Sequence, residues 1–137
     1  MQHTPIVELD HISMPVRDFR KARRFYDEAL GAIGMKANLE LRTSCGYGSR
    51  GQKIFWLARD PKASGSGHYA FRVKHTQEVD AFYEAALASG GEDNGPPGPR
   101  PDYGPSYYAA FVRDPEGNNI EVVCYTRGRA PRRGKPS

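Results

Sequence analysis

LDHISMPVRDFRKARRFYDEALGAIGM, residues 9–35, and SGHYAFRVKHTQEVDAFYEAALASGGE, residues 66–92, are the two stretches on which the fold turns. Displaced by 57 residues and aligned without a gap, they share seven identities over 27 positions. His11 falls on His68, Val16 on Val73, Phe25 on Phe82 and Tyr26 on Tyr83. Ala29 falls on Ala86, Leu30 on Leu87 and Gly34 on Gly91. Two copies are too few for a solenoid, which needs several stacked units to bury its core. They point instead to a pseudo-symmetric domain.

Each copy reads as a strand, a helix and then strands. Ile6 to Val16 alternates in the manner of a half-buried strand, and Asp18 follows as a helix N-cap. Ala22, Phe25, Tyr26, Ala29 and Leu30 then recur at helical spacing and make one apolar stripe. Gly31 and Gly34 mark its end. Met35–Arg42 reads as a strand, Gly46–Gly51 as a turn region and Lys53–Arg59 as a strand closed by Asp60-Pro61. In the second copy Gly67–Lys74 is a strand and Thr76 an N-cap. Val79, Phe82, Tyr83, Ala86 and Leu87 form the stripe, and Gly90-Gly91 ends the helix. Tyr107–Arg113 and Asn119–Tyr125 are strands joined by Asp114-Pro115-Glu116-Gly117-Asn118. There proline presets φ and glycine supplies φ > 0.

The expected fold is α+β: two tandem βαβββ modules forming a cupped mixed sheet with helices outside. Module one spans about 6–60 and module two about 66–126, in a single domain over 1–126. The stretch Arg127–Ser137 carries five basic residues and no acid, and reads as a solvated, disordered tail. Without those five, 15 basic residues stand against 16 acidic ones, so the formal charge of +4 belongs to the tail. A nucleic-acid partner would need a basic stripe or an aromatic platform on the fold, and neither is legible. No apolar run approaches the ~20 residues of a membrane span. The first residues lack the basic-then-apolar pattern of a secretory signal, so a cytoplasmic location is the expectation. Cys45 and Cys124 form no CxxC pair. Cys124 reads as strand core, since a nucleophilic thiol needs an activating neighbour.

Strand alternation sorts the polar residues by face. Leu9, His11 and Ser13 share one face; His68, Ala70 and Arg72 another; Asn119, Glu121 and Val123 a third. In each strand the more apolar face is free to pack on helices, and the ionisable face must line the cup. Glu121 stands between Ile120 and Val122, and a buried carboxylate needs a partner or a metal to offset its desolvation. Two histidines and one carboxylate form a ligand set that leaves positions open for substrate.

With Leu9-Asp10-His11-Ile12, Phe25-Tyr26, Leu30-Gly31, Gly67-His68-Tyr69-Ala70-Phe71 and the run from Phe111 to Glu121, the chain resembles the vicinal-oxygen-chelate superfamily. That group includes glyoxalase I, fosfomycin-resistance transferases, extradiol dioxygenases and bleomycin-resistance proteins. The resemblance covers about residues 6–126, and the last motif is its most specific part. It implies two modules cupped around a divalent metal, with His11, His68 and Glu121 at ligand positions. Aligning Lys53–Leu57 with Asn119–Val123 places Phe55 opposite Glu121, where glyoxalase I carries a further carboxylate. Phe55 cannot ligate, which points away from glyoxalase I and toward three-ligand branches.

The resemblance thus implies a metal-dependent small-molecule enzyme that holds two substrate oxygens at Mn, Fe, Co, Ni or Zn. Its reaction type, catalytic residues and substrate stay open. The rival reading is a non-catalytic drug-binding protein of the bleomycin-resistance kind. The resemblance also implies a homodimer, in which His11 comes from one chain and His68 with Glu121 from the other if modules swap. Arg72, on the His68 face, is a candidate for an anion or for a structural ion pair. Tyr103, Tyr107 and Tyr108 could shape a pocket, and only one of the adjacent Tyr107 and Tyr108 can enter the cup. The loop Asn94–Pro105 is long enough for a lid.

Overall fold

The computed structural model describes residues 3–126. Arg127–Ser137, read above as a tail, lies outside the described residues. Module one contributes β1 (Ile12–Val16), α1 (Phe19–Gly31), β2 (Lys36–Glu40), β3 (Ser44–Gly48) and β4 (Phe55–Arg59). Module two contributes β5 (His68–Val73), α2 (Thr76–Ala88), two short strands β6 (Glu92–Asp93) and β7 (Gly98–Pro99), then β8 (Tyr107–Arg113) and β9 (Asn119–Tyr125). The α+β class and the repeated order are as expected. The strands hydrogen-bond as two sheets, β1-β4-β3-β2 and β5-β9-β8-β6, with β7 also on β8. In each, the first strand of the module runs parallel to the last.

Helix α1 starts where Asp18 accepts the Lys21 amide at 3.0 Å. Its apolar stripe, Ala22, Phe25, Tyr26, Ala29 and Leu30, is wholly buried. Helix α2 is capped one residue earlier than read from sequence. His75 is the cap and Thr76 the first helical residue, and Glu78 accepts the His75 amide at 3.3 Å. Val79, Phe82 and Ala86 are buried, while Leu87 is exposed. Both stripes feed one continuous core with Met14, Tyr47, Phe55, Leu57, Val112, Ile120 and Val122. Phe55 joins the modules, its ring 5.7 Å from Tyr69 and 5.1 Å from Phe71. Burying a large side chain of this kind contributes about 1.5–3 kcal/mol.

Two strand readings change. Residues 6–11 do not extend β1: Ile6, Val7 and Leu9 are 85, 93 and 85% exposed. Among the described residues the only strand beside β1 is β4, and their ladder begins with Ile12 N–H donating to Ile54 O. The alternation before it therefore meets no strand within the described chain. Conversely, Gly46 lies inside a strand rather than a turn. Ser44–Gly48 is a central strand, and the turn falls later, with Gln52 N–H on Ser49 O and Gly51 at φ +80°.

The Asp114–Asn118 turn clasps the modules together. Asp114 accepts the amides of Glu116 and Asn118, each at 2.9 Å. Its other oxygen takes the Tyr26 hydroxyl of α1 at 2.6 Å. Burial first, and then Asp114, push the Tyr26 phenol well above its ordinary value, so it remains a proton donor. The Glu116 carboxylate accepts the amides of Arg17 and Asp18, both at 2.7 Å, just ahead of α1. The turn inside the most family-specific stretch of sequence is therefore spent on architecture.

Candidate functional site

Cross-strand register places the polar residues of module two. His68 stands beside Asn119, Ala70 beside Glu121 and Arg72 beside Val123. On the other side of β9, Phe111 pairs with Glu121 and Tyr107 with Tyr125. Paired residues point to the same side of a sheet, so His68, Glu121, Phe111, Tyr107, Arg72 and Tyr125 share the face turned away from the core.

Two of the three residues singled out from sequence meet on this face. His68 Nε2 lies 3.1 Å from Glu121 Oε1. His68 Nδ1 lies 3.1 Å from the Asn119 carbonyl oxygen. A carbonyl oxygen has no hydrogen to give, so Nδ1 carries the proton. In the neutral ring Nε2 then presents a bare lone pair to a carboxylate that is 3% exposed. Two lone pairs at that distance repel unless a proton or a metal ion lies between them. An imidazole whose far nitrogen is anchored on a carbonyl, beside a buried carboxylate, fits a divalent transition ion.

The other Glu121 oxygen accepts the Tyr107 hydroxyl. Burial first, and then Glu121, raise the Tyr107 phenol, so it stays protonated and holds the carboxylate in place. Of the adjacent tyrosines only Tyr107 takes this face. Tyr108 points the other way and donates to Asp80 of α2 at 2.8 Å.

His11 does not join them. It is exposed just ahead of β1, its Nδ1 2.7 Å from Asp10 Oδ2. Among the described residues no three His, Cys, Asp or Glu side chains come close enough to hold a metal ion. β1 pairs with β4 and β5 with β9, not with each other.

Phe55 is not the counterpart of Glu121. Ser13 and Ala70 are repeat mates; Ser13 pairs with Trp56 and Ala70 with Glu121. The structural counterpart is therefore Trp56, and Phe55, wholly buried, corresponds to Ile120. The sequence alignment was one residue out. With a side-chain period of two, one residue exchanges the faces. The module-one position still offers no metal ligand.

Sequence reasoning passed over Phe111, Arg100 and Tyr125. Phe111 stacks on His68 at 6.4 Å between centroids, and Arg100 lies over Phe111 at 5.4 Å. Counting by twos from Tyr107 would have found Phe111. Nothing local signals Arg100, which reaches the face because the Asn94–Pro105 stretch runs along β8. Asn94 N–H bonds Phe111 O, and Arg100 N–H bonds Tyr107 O at 2.8 Å. Arg72 makes no ion pair among the described residues; its guanidinium sits 4.6 Å above the Tyr125 ring. No helix among the described residues is long and apolar enough to cross a membrane.

A family model described as Glyoxalase/Bleomycin resistance protein/Dioxygenase superfamily matches residues 8–122. Solved structures agree. A glyoxalase/bleomycin resistance protein from Albidiferax ferrireducens T118 is 27% identical, with a TM-score of 0.72 over 84% of this chain and 96% of that one. A glyoxalase-related enzyme from Fulvimarina pelagi is 20% identical, with a TM-score of 0.67 over 87% of this chain and 88% of that one. Lactoylglutathione lyase from Agrobacterium tumefaciens is 22% identical, with a TM-score of 0.65 over 87% of this chain and 94% of that one. At those last two identities the likeness shows the fold alone. No curated protein matches the chain.

Proposed function

Because this chain belongs to the glyoxalase/bleomycin resistance protein/dioxygenase superfamily, we propose that it is a metal-dependent small-molecule enzyme whose site is shared between two copies. His68 and Glu121 of one copy and His11 of the other hold one divalent ion. The observation that carries this reading is the approach of His68 Nε2 to the buried Glu121 Oε1, 3.1 Å apart, while His68 Nδ1 is held on the Asn119 carbonyl. A proton bridge would satisfy the pair as an ordinary ion pair, and metal analysis separates the two.

The sharing follows from what one chain lacks. His11 stands apart from the other two residues, and among the described residues β1 and β5 each have one free edge. Ile6, Val7 and Leu9 beside His11 are apolar and exposed. A second copy would cover them and bring its His11 to the face that carries His68 and Glu121.

When bound, the ion supplies Lewis acidity to two oxygens of a small substrate. Mn, Fe, Co, Ni and Zn all suit two imidazoles and a carboxylate. The chain's own residues hold the arrangement. Asn119 O fixes the His68 tautomer, Tyr107 orients Glu121, and Phe111 keeps the imidazole in plane by stacking. Trp56 in place of a further carboxylate separates this site from a four-ligand lyase site. A sequestering protein would have no use for a buried carboxylate aimed at an imidazole, so the enzyme reading is preferred.

The test is metal content after expression without a histidine tag. About one transition ion per chain is expected, absent in His11→Ala, His68→Ala and Glu121→Ala. Co-expressing His11→Ala with Glu121→Ala then decides the sharing. A site between copies recovers one intact set per mixed dimer, with about half the metal. A site within one chain recovers none. A wild type that takes up no Mn, Fe, Co, Ni or Zn on dialysis sinks the proposal.

A further inference from the structure

Trp56 is the chain's single tryptophan. It occupies in β4 the position that Glu121 occupies in β9. Its indole lies against the backbone of β3 at Gly46. A Cβ on residue 46 would come within 2.7, 2.8 and 3.1 Å of the indole Cε2, Cζ2 and Cδ2. Only glycine there lets the ring lie close to the sheet. Around it on the same face stand Ser13, Pro15, Ala58 and Ser44, and none of these is charged. Among the described residues no other aromatic ring and no cation packs on it. A half-buried indole, backed by a glycine and without an aromatic or cationic partner among the described residues, presents a flat apolar surface.

We propose that Trp56 is the specificity wall of the small-molecule site and selects a ligand carrying an aromatic or flat unsaturated group beside its two chelating oxygens. This rests on the two-copy metal site proposed above. The pseudo-two-fold that exchanges the modules carries Glu121 onto Trp56. In a shared site the second copy's indole therefore stands where a fourth protein ligand would otherwise be. The indole nitrogen is a donor only and does not ligate. That coordination position is left to a ligand oxygen, with an aromatic face beside it. Flat groups with π-faces gain most from such a surface.

The test uses the zinc-loaded full chain and two chelators that differ only in their substituent, benzohydroxamate and acetohydroxamate. Affinities come from calorimetry, and the fluorescence of the single tryptophan reports contact directly. Benzohydroxamate is expected to bind about tenfold tighter, a stacking contribution of ordinary size, and to quench Trp56. Trp56→Leu removes the preference, bringing the two affinities to within about twofold of each other. Trp56→Phe keeps part of the preference, which separates loss of a ring from loss of the fold. Equal affinities in the wild type, or a preference that survives Trp56→Leu, overturn the proposal with the metal site intact. If the wild type binds no zinc, or Glu121→Gln retains it, the metal reading itself fails and takes this proposal with it.

Discussion

The outward faces of the two sheets differ in chemistry although the two modules repeat one another. Module one presents Ser13, Pro15, Gly46, Trp56 and Ala58 at its centre, with Lys36 of β2 opposite Gly48 at its margin. Module two presents His68, Arg72, Tyr107, Phe111 and Glu121. Yet both sheets have the same order at their centres, and both helices bury the shared phenylalanine and alanine of their stripes, Phe25 and Ala29 in one and Phe82 and Ala86 in the other. Of the seven identities shared by the repeats, only the His11–His68 pair has both members exposed on strands or at their edge. The others lie in the core or at the ends of the helices. Interior positions are held by close packing, where even one methylene is felt. Outward positions are free to diverge, and here the centre of one face is uncharged while the other carries His68, Arg72 and Glu121.

The largest effect expected from breaking this asymmetry is on metal. Glu121→Gln keeps the shape but removes the charge, and should reduce metal affinity by more than about a hundredfold, beyond the loss typical of supporting residues. Elemental analysis of the dialysed protein checks it, and undiminished metal would count against the site. Next comes a neighbouring pair that separates the two faces of β4. Phe55→Ala should cost about 3–5 kcal/mol, as for a large core side chain. Trp56→Ala, on the open face, should cost under about 1.5 kcal/mol. Urea denaturation measures both, and similar losses would mean that Trp56 belongs to the core.

The clasp between modules should give an intermediate effect. Glu116→Ala leaves the Arg17 and Asp18 amides without their carboxylate and should cost about 1–3 kcal/mol. Denaturation that separated into two transitions would show the modules uncoupling. A smaller effect is expected at Tyr107→Phe, which leaves Glu121 in place but unsteadied. Metal affinity should fall about tenfold with little change in folding stability.

The smallest effect is a pH dependence. Burial raises the Tyr26, Tyr47 and Tyr108 phenols, the last to about 12. Because the folded values lie above the unfolded value near 10, these groups contribute stability that is fully present below pH 10. That stability is lost as pH rises through the folded values. Melting temperature should therefore fall above pH 10, and Tyr26→Phe should flatten the decline. A melting temperature that stayed constant up to pH 12 would contradict the assignment.

Much of the fold was legible because periodicity survives in the sequence. The helical stripes, the Asp18 cap and the Asp114–Asn118 turn all appear where local pattern places them. So does the division between Tyr107 and Tyr108, since adjacent strand residues must take opposite faces. The strand errors have one cause, unlike the one-residue shift of the α2 cap from Thr76 to His75. Whether residues 6–11 form a strand, whether Gly46 lies in one, and whether Phe55 or Trp56 answers Glu121 all depend on pairing with a distant strand. Alternation alone leaves that partner and its register open.

The sequence by itself determined the duplication, the α+β class, the two amphipathic helices and the identity of the polar residues, because these rest on spacing along the chain. Only the tertiary structure decided that His68 and Glu121 meet while His11 stands apart, that Tyr107 rather than Tyr108 holds the carboxylate, and that Trp56 mirrors Glu121. Those relations are set by strand register and by which edges pair. Both are contacts between residues far apart in sequence, and no local pattern encodes them.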